Sequence, residues 1–453
     1  MFISKTILHQ TASVIPAKFI QLIIGISQGW LSPTLNTLRY NSNSNSNSGL
    51  SLNTEECSWI ASLHYVGRIF GPLISFLLLD KIGRKNLLIL SSIVIFSTWI
   101  IVWLTRSVRL IYIARFVFGL AVGTTDTVIP IYICENSSSN IRGVFNSILI
   151  AFFFLGEILA FVFCTYFEYN TVAIIHVAIG FLIFLSTFLL KETAQFFILN
   201  DKYKKAEKNF FWLRGYEANT KKEFEDMKLY LSEQKSKLSF ELLKNAEIRK
   251  CLRIALISNI LILSSGFTAI NTLVSIVIPS IDTITSNELT ILLGLFQFVG
   301  VCMSSYSIDQ FGRRPLVLIA AGISTVTHII TASLYYVEEH IEQLPHFAWL
   351  IFVSLTTYSV TVAMILLPLS RTIRGEILPQ NIKALGCSLT VSLSSIISFV
   401  ISKIFLLVSE EYGMYVNFFI FSLVSFTLII YIYIDLPETK GMTLIDIQKF
   451  LKK

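Results

Sequence analysis

Apolar runs of about twenty residues, long enough to cross the hydrocarbon core of a bilayer as helices, recur along this chain with polar joints between them. Twelve are read, near residues 14–36, 58–79, 86–104, 110–132, 143–166, 171–190, 253–279, 286–308, 314–336, 347–369, 384–408 and 413–434. Inside lipid each backbone amide must be satisfied within its own segment, so an open chain has one regular solution, the α-helix. Composition agrees: 54% of the 453 residues are hydrophobic, 14% are charged, and the mean hydropathy is +0.68, far above a soluble domain. The expectation is an all-α, multi-pass membrane protein of twelve transmembrane helices.

The polar joints orient it. D-K-I-G-R-K at Asp80–Lys85 and D-Q-F-G-R-R at Asp309–Arg314 each join two apolar runs through a turn glycine flanked by charges. Basic residues in short loops resist translocation, so these loops, the segment 191–252 and both termini are expected on the cytoplasmic side. The same rule accounts for the net charge of +7, which leaves no basic soluble domain to bind nucleic acid. Six scattered cysteines form no C-x-x-C pair and suggest neither a disulfide framework nor a metal site. The first run lacks a small-residue cleavage site and is expected to stay as a helix.

Three pairs of landmarks recur in the same order. The two glycine-turn motifs are 229 residues apart, Glu135 and Glu376 are 241 apart, and Glu192-Thr193 and Glu438-Thr439 are 246 apart. Duplicated halves follow: residues 1–190 and 253–436 as two six-helix bundles, 437–453 as a tail, and 191–252 as a connection. In that connection Phe210, Phe211, Leu213, Phe224, Met227 and Leu231 fall at helical spacing and suggest short amphipathic helices. The N-S repeat at Asn41–Ser48 is a polar low-complexity tract expected to be disordered.

Several phrases carry a resemblance: G-W-L-S-P at Gly29–Pro33, S-W-I-A-S-L at Ser58–Leu63, R-F-V-F-G-L-A-V-G at Arg115–Gly123, P-I-Y-I-C-E at Pro130–Glu135, W-L-R-G at Trp212–Gly215, G-E-I-L-P at Gly375–Pro379 and P-E-T-K-G at Pro437–Gly441. On these the chain resembles the sugar porters of the major facilitator superfamily, within them the trehalose transporter-like branch of insects. The resemblance implies the major facilitator fold, with a sugar or polyol held between the bundles and exposed to each side of a plasma membrane in turn. It also implies a monomer needing no cofactor or metal. A cytoplasmic charge network is implied at Asp80, Arg84, Arg115, Glu135, Arg142 and Glu192, and at Asp309, Arg313, Arg314, Glu376, Lys383 and Glu438.

The binding positions depart from that pattern. The family's helix-five glutamine falls on Ile150, its paired helix-seven glutamines on Ile262 and Leu263, and its helix-ten tryptophan on Arg371. The polar candidates left to bind substrate are Gln28, Thr268, Asn271, Gln297, Ser394 and Ser398, since hydroxyl-rich solutes need directed hydrogen bonds. Charges inside the runs are costly and require partners. Arg68 and Asp126 are expected to pair, each being about 13–18 Å from the basic end at 1.5 Å per residue. Asp126 and Glu157 raise proton coupling, but the first helix has no acid between Ala17 and Asn36, which favours an uncoupled carrier. A proton symporter, a non-transporting sugar sensor and a carrier of another solute remain as alternatives. His64, His176 and His328 are read as packed residues, and no nucleophile–base spacing or phosphate-binding loop points to an enzyme.

Overall fold

The computed structural model describes residues 5–40, 52–105, 107–216, 218–234, 245–281, 283–340, 347–378, 382–436 and 438. The first half comprises α1 (Lys5–Gly29), α2 (Leu31–Tyr40), α3 (Thr54–Ile82), α4 (Arg84–Leu104), α5 (Val108–Asn136), α6 (Ser139–Tyr166) and α7 (Tyr169–Thr187). The connection carries α8 (Ala194–Leu199), α9 (Tyr203–Arg214) and α10 (Ala218–Gln234). The second half runs through α11 (Ala246–Ser264), α12 (Phe267–Thr272), α13 (Val274–Val277), α14 (Ser286–Phe311) and α15 (Arg313–His340). It ends with α16 (Ala348–Thr361), α17 (Leu367–Ile377), α18 (Lys383–Tyr412) and α19 (Met414–Asp435).

Eleven helices among the described residues are long and apolar enough to cross a membrane, counting α1 with α2, and α16 with α17, as single crossings. The twelfth is the seventh in order, and it corrects one expectation. The run 253–279 reads as one continuous crossing, but it is broken into α11, α12 and α13. Gly266 makes the break with φ of 101°, and a Cβ there would lie 2.4 Å from the Phe421 ring. The freed Ser265 carbonyl accepts hydrogen bonds from Tyr358 Oη and His328 Nε2, both at 2.9 Å. Non-helical backbone at membrane depth persists only where protein satisfies it in this way, which explains why His328 is buried. In the tenth crossing, residues Val362–Leu366 form a π-helical turn ahead of Pro368. A proline lacks an amide and crowds the carbonyl four residues back, and one inserted residue relieves that conflict.

Local sequence sets the helix starts. Asn53 with Glu56 and Thr285 with Glu288 form reciprocal capping boxes at α3 and α14. Gly83, with φ of 97° and ψ of 161°, separates α3 from α4 in a backbone region open essentially to glycine alone. Gly312 repeats it between α14 and α15. Close helix contact follows small residues: a Cβ on Gly67 of α3 would lie 2.0 Å from the Phe116 carbonyl of α5.

Within the first half α3 packs on α5, α1 on α6 and α4 on α7; within the second α15 packs on α19 and α11 on α18. Two long seams join the halves, α3 against α18 and α6 against α14. Leu77, Leu182, Leu423 and Ile434 point outward and are exposed, as side chains facing lipid should be. In the connection, Phe210, Phe211 and Phe224 bury against Ala194, Ile198 and Ala206, with Met227 packed beside them and Leu213 buried. Amphipathic helices do form there. The Leu231 side chain, the Asn41–Ser48 tract and residues 439–453 lie outside the described residues.

Candidate functional site

Each glycine turn is held by a glutamate from the far end of its own half. Glu192 accepts from the Arg84 and Lys85 amides through separate oxygens, both at 3.1 Å. Glu438 accepts from the Arg313 and Arg314 amides at 3.1 and 3.0 Å. A carboxylate there caps a helix N-terminus, satisfying orphan donors and meeting the positive end of the dipole. Burial nonetheless pushes the Glu192 carboxyl up from its ordinary pKa, against the pull of those amides.

The first basic side chain after each turn glycine pairs inside its own half. Arg84 bonds Glu135 Oε1 through Nε (3.2 Å) and Nη2 (3.1 Å), both side chains being nearly buried, and meets the exposed Asp80 at 3.0 Å. Its counterpart is Arg313, 3.2 Å from Glu376. Arg314 instead donates to the Tyr433 carbonyl at 2.5 Å. Arg115 does not belong in this network, contrary to the expectation. It lies twenty residues before Glu135, about 30 Å along a helix, and donates to the Ile60 and Ser27 carbonyls at 3.4 Å. The side chains of Arg142, Asp309 and Lys383 lie outside the described residues.

At the opposite end the halves are bonded to each other. Arg39 meets Glu410 at 2.5 Å, and Thr54 donates to the same carboxylate. Lys403 donates to Ser58 at 2.7 Å while lying over the Trp59 ring, Asn36 donates to Asn287 at 3.3 Å, and the Ser275 amide donates to Ser32 at 2.6 Å.

Between the two ends a buried polar chain crosses the seam. Gln297 Nε2 donates to Asn271 Oδ1 at 3.2 Å, and Asn271 Nδ2 donates to Glu157 Oε1 at 2.7 Å. Gln28 donates to Thr272 at 3.0 Å, with Tyr65 Oη at 3.4 Å from the same hydroxyl. Glu157 Oε2, Gln297 Oε1 and Thr268 Oγ1 are buried with no partner among the described residues. The break in the seventh crossing is what delivers Thr268, Asn271 and Thr272 here. Of the six candidates, Gln28, Asn271 and Gln297 thus bond within this zone. Ser394 instead accepts from Asn259 of α11 at 3.2 Å, and Ser398 is buried with no partner for its hydroxyl among the described residues. Sequence reasoning missed Tyr65 and Thr272, which carry no signal beyond a polar atom in an apolar run. It weighed Glu157 only as a proton carrier.

Arg68 bonds Asp126 through Nε at 2.9 Å and Nη2 at 2.7 Å. No group of three or more metal-ligating side chains occurs among the described residues.

Two halves with repeated turn motifs, tied at one end and enclosing unpaired polar atoms at their seam, define a membrane carrier. The chain belongs to the Sugar (and other) transporter family, whose signature matches residues 15–451. It is 25% identical to the facilitated trehalose transporter Tret1 of Apis mellifera ligustica, over 97% of this chain and 88% of that protein. It is 24% identical to Tret1 of Bombyx mori, over 94% and 83%. In fold it is similar to the inward-open xylose transporter XylE from E. coli, with a TM-score of 0.79 at 16% identity over 96% and 98% of the two chains.

Proposed function

We propose that the chain is a uniporter that carries a sugar such as trehalose or a hexose across the plasma membrane by alternating access, with both termini cytoplasmic. One observation carries the reading. Bonds between the halves close the end bearing Arg39 and Glu410, whereas among the described residues the ion pairs of Arg84 and Arg313 each stay within one half. A carrier opened toward the cytoplasm has that arrangement. The Glu157–Asn271–Gln297 chain then supplies the donors and acceptors a sugar hydroxyl needs, and the Asp80, Glu135, Glu376 and Glu438 pairings hold the cytoplasmic turns. The domain limits 1–190, 191–252, 253–436 and 437–453 follow from the same reading.

A second reading, proton-coupled symport, is favoured by Glu157, a buried acid at the seam with one oxygen unpartnered. Radiolabelled trehalose and hexose uptake into proteoliposomes, with and without a proton gradient, decides between them. Uniport requires saturable uptake indifferent to the gradient, and Glu157→Gln that still equilibrates solute. Gradient-driven accumulation abolished by Glu157→Gln would establish symport instead, and absence of saturable flux for every sugar would defeat both.

A further inference from the structure

Arg115 is a buried cation with no acid beside it. It lies within the crossing Val108–Asn136, is 4% exposed, and forms no ion pair among the described residues. Its Nε and Nη1 reach the Ile60 and Ser27 carbonyls only at 3.4 Å, and Nη2 is buried with no partner among the described residues. The Phe118 ring stands 5.1 Å from the guanidinium carbon, a contact that eases the charge without cancelling it. A cation at membrane depth is costly until a counter-charge stands next to it.

A small cavity adjoins this guanidinium. Its wall is made by Arg115 with Ser27 and Trp30 of the first crossing, Thr98 and Trp99 of α4, and Phe118 of α5, and no carboxylate lines it. The space holds one water-sized particle. Two N–H donors of the wall residues, Arg115 Nη2 and Trp30 Nε1, are buried and unsatisfied. The hydroxyls of the wall are engaged: Ser27 donates to the Ile23 carbonyl at 2.8 Å and accepts from Trp99 Nε1 at 2.8 Å, and Thr98 donates to the Ile95 carbonyl at 2.7 Å. The wall therefore presents a positive charge and spare donors. A water accepts from those donors but leaves the charge standing, and a carboxylate or phosphate is too large for the space. A monatomic anion accepts from both donors and supplies the missing charge.

We propose that this cavity binds a single halide, chloride in ordinary salt, held by Arg115 Nη2 and Trp30 Nε1. Trp30 is the joint between α1 and α2, so the ion ties that joint to α5. Ser27, whose carbonyl takes Arg115, precedes Gln28, which donates to Thr272 of the other half at 3.0 Å. The halide thus braces the helix segment that carries one side of the seam, and it does so whichever solute crosses.

The test is the thermal midpoint of the purified full chain in detergent as sodium gluconate is exchanged for sodium chloride or bromide at fixed ionic strength, gluconate being too large to enter. A saturable rise with each halide is expected, since a ligand that binds only the folded state stabilises it. Bromide should also quench tryptophan emission saturably, because two indoles line the cavity. Arg115→Gln should abolish both responses. If that variant fails to fold, Trp30→Phe, which keeps the ring and loses the donor, should raise the half-saturating chloride concentration at least tenfold. Equal midpoints in gluconate and chloride, a rise that never saturates, or a half-saturation unchanged in the variants would each overturn the site.

Discussion

Arg68 reaches Asp126 through two nitrogens, at 2.9 and 2.7 Å, and joins α3 to α5 inside the first half. Losing either member strands the charge of the other. Breaking a largely buried pair costs about 3–5 kcal/mol when the survivor is stranded. Asp126→Asn and Arg68→Gln should each therefore lower the thermal midpoint in detergent, and an unchanged midpoint in both would show that the pair does not hold the half together. The pair itself was legible, because two opposite charges at similar depth in neighbouring apolar runs have few alternatives. The bonds across the seam were not, since nothing in linear order says that Asn271 reaches Glu157 of the other half while Gln297 bonds Asn271.

At the level of the element, the seventh crossing departs most from a pattern-based reading. Its hydropathy reads as one run, and hydropathy cannot report whether Ser265 keeps its helical hydrogen bond. What permits the break comes from α15 and α16, whose His328 and Tyr358 supply donors to the freed carbonyl. Tyr358→Phe removes one donor from a buried acceptor and should cost about 1–3 kcal/mol in unfolding measurements. His328→Ala should cost more because it also leaves a cavity against Phe418 and Phe421. An unchanged midpoint in both variants would mean that the break does not need these partners. The twelve crossings and the amphipathic character of α9 were readable, since each rests on a periodicity within a single segment.

For the whole molecule, the duplicated motifs align Arg84 with Arg313, and each is bonded to a glutamate of its own half. Register after the glycine decides which basic side chain turns inward, and Arg314 instead donates to the Tyr433 carbonyl. Neutralising Arg84 or Arg313 should slow solute exchange several-fold while leaving the amount of folded protein at membrane depth nearly unchanged; normal flux in both variants would remove these pairs from the cycle. The opposite end offers the reciprocal test. Asn36→Cys with Asn287→Cys, at side chains 3.3 Å apart, should cross-link under oxidation and stop transport until reductant is added. Undiminished flux in the oxidised protein would show that this end need not open.

Glu192 and Glu438 each begin a polar stretch of the chain, the first leading into α8–α10 and the second into the tail. The same two carboxylates hold the glycine turns, so each turn is fastened at the point where the chain leaves its bundle. Displacing Glu192 or Glu438 would strip two amides of their acceptors in one step, and the start of α4 or α15 would feel it directly.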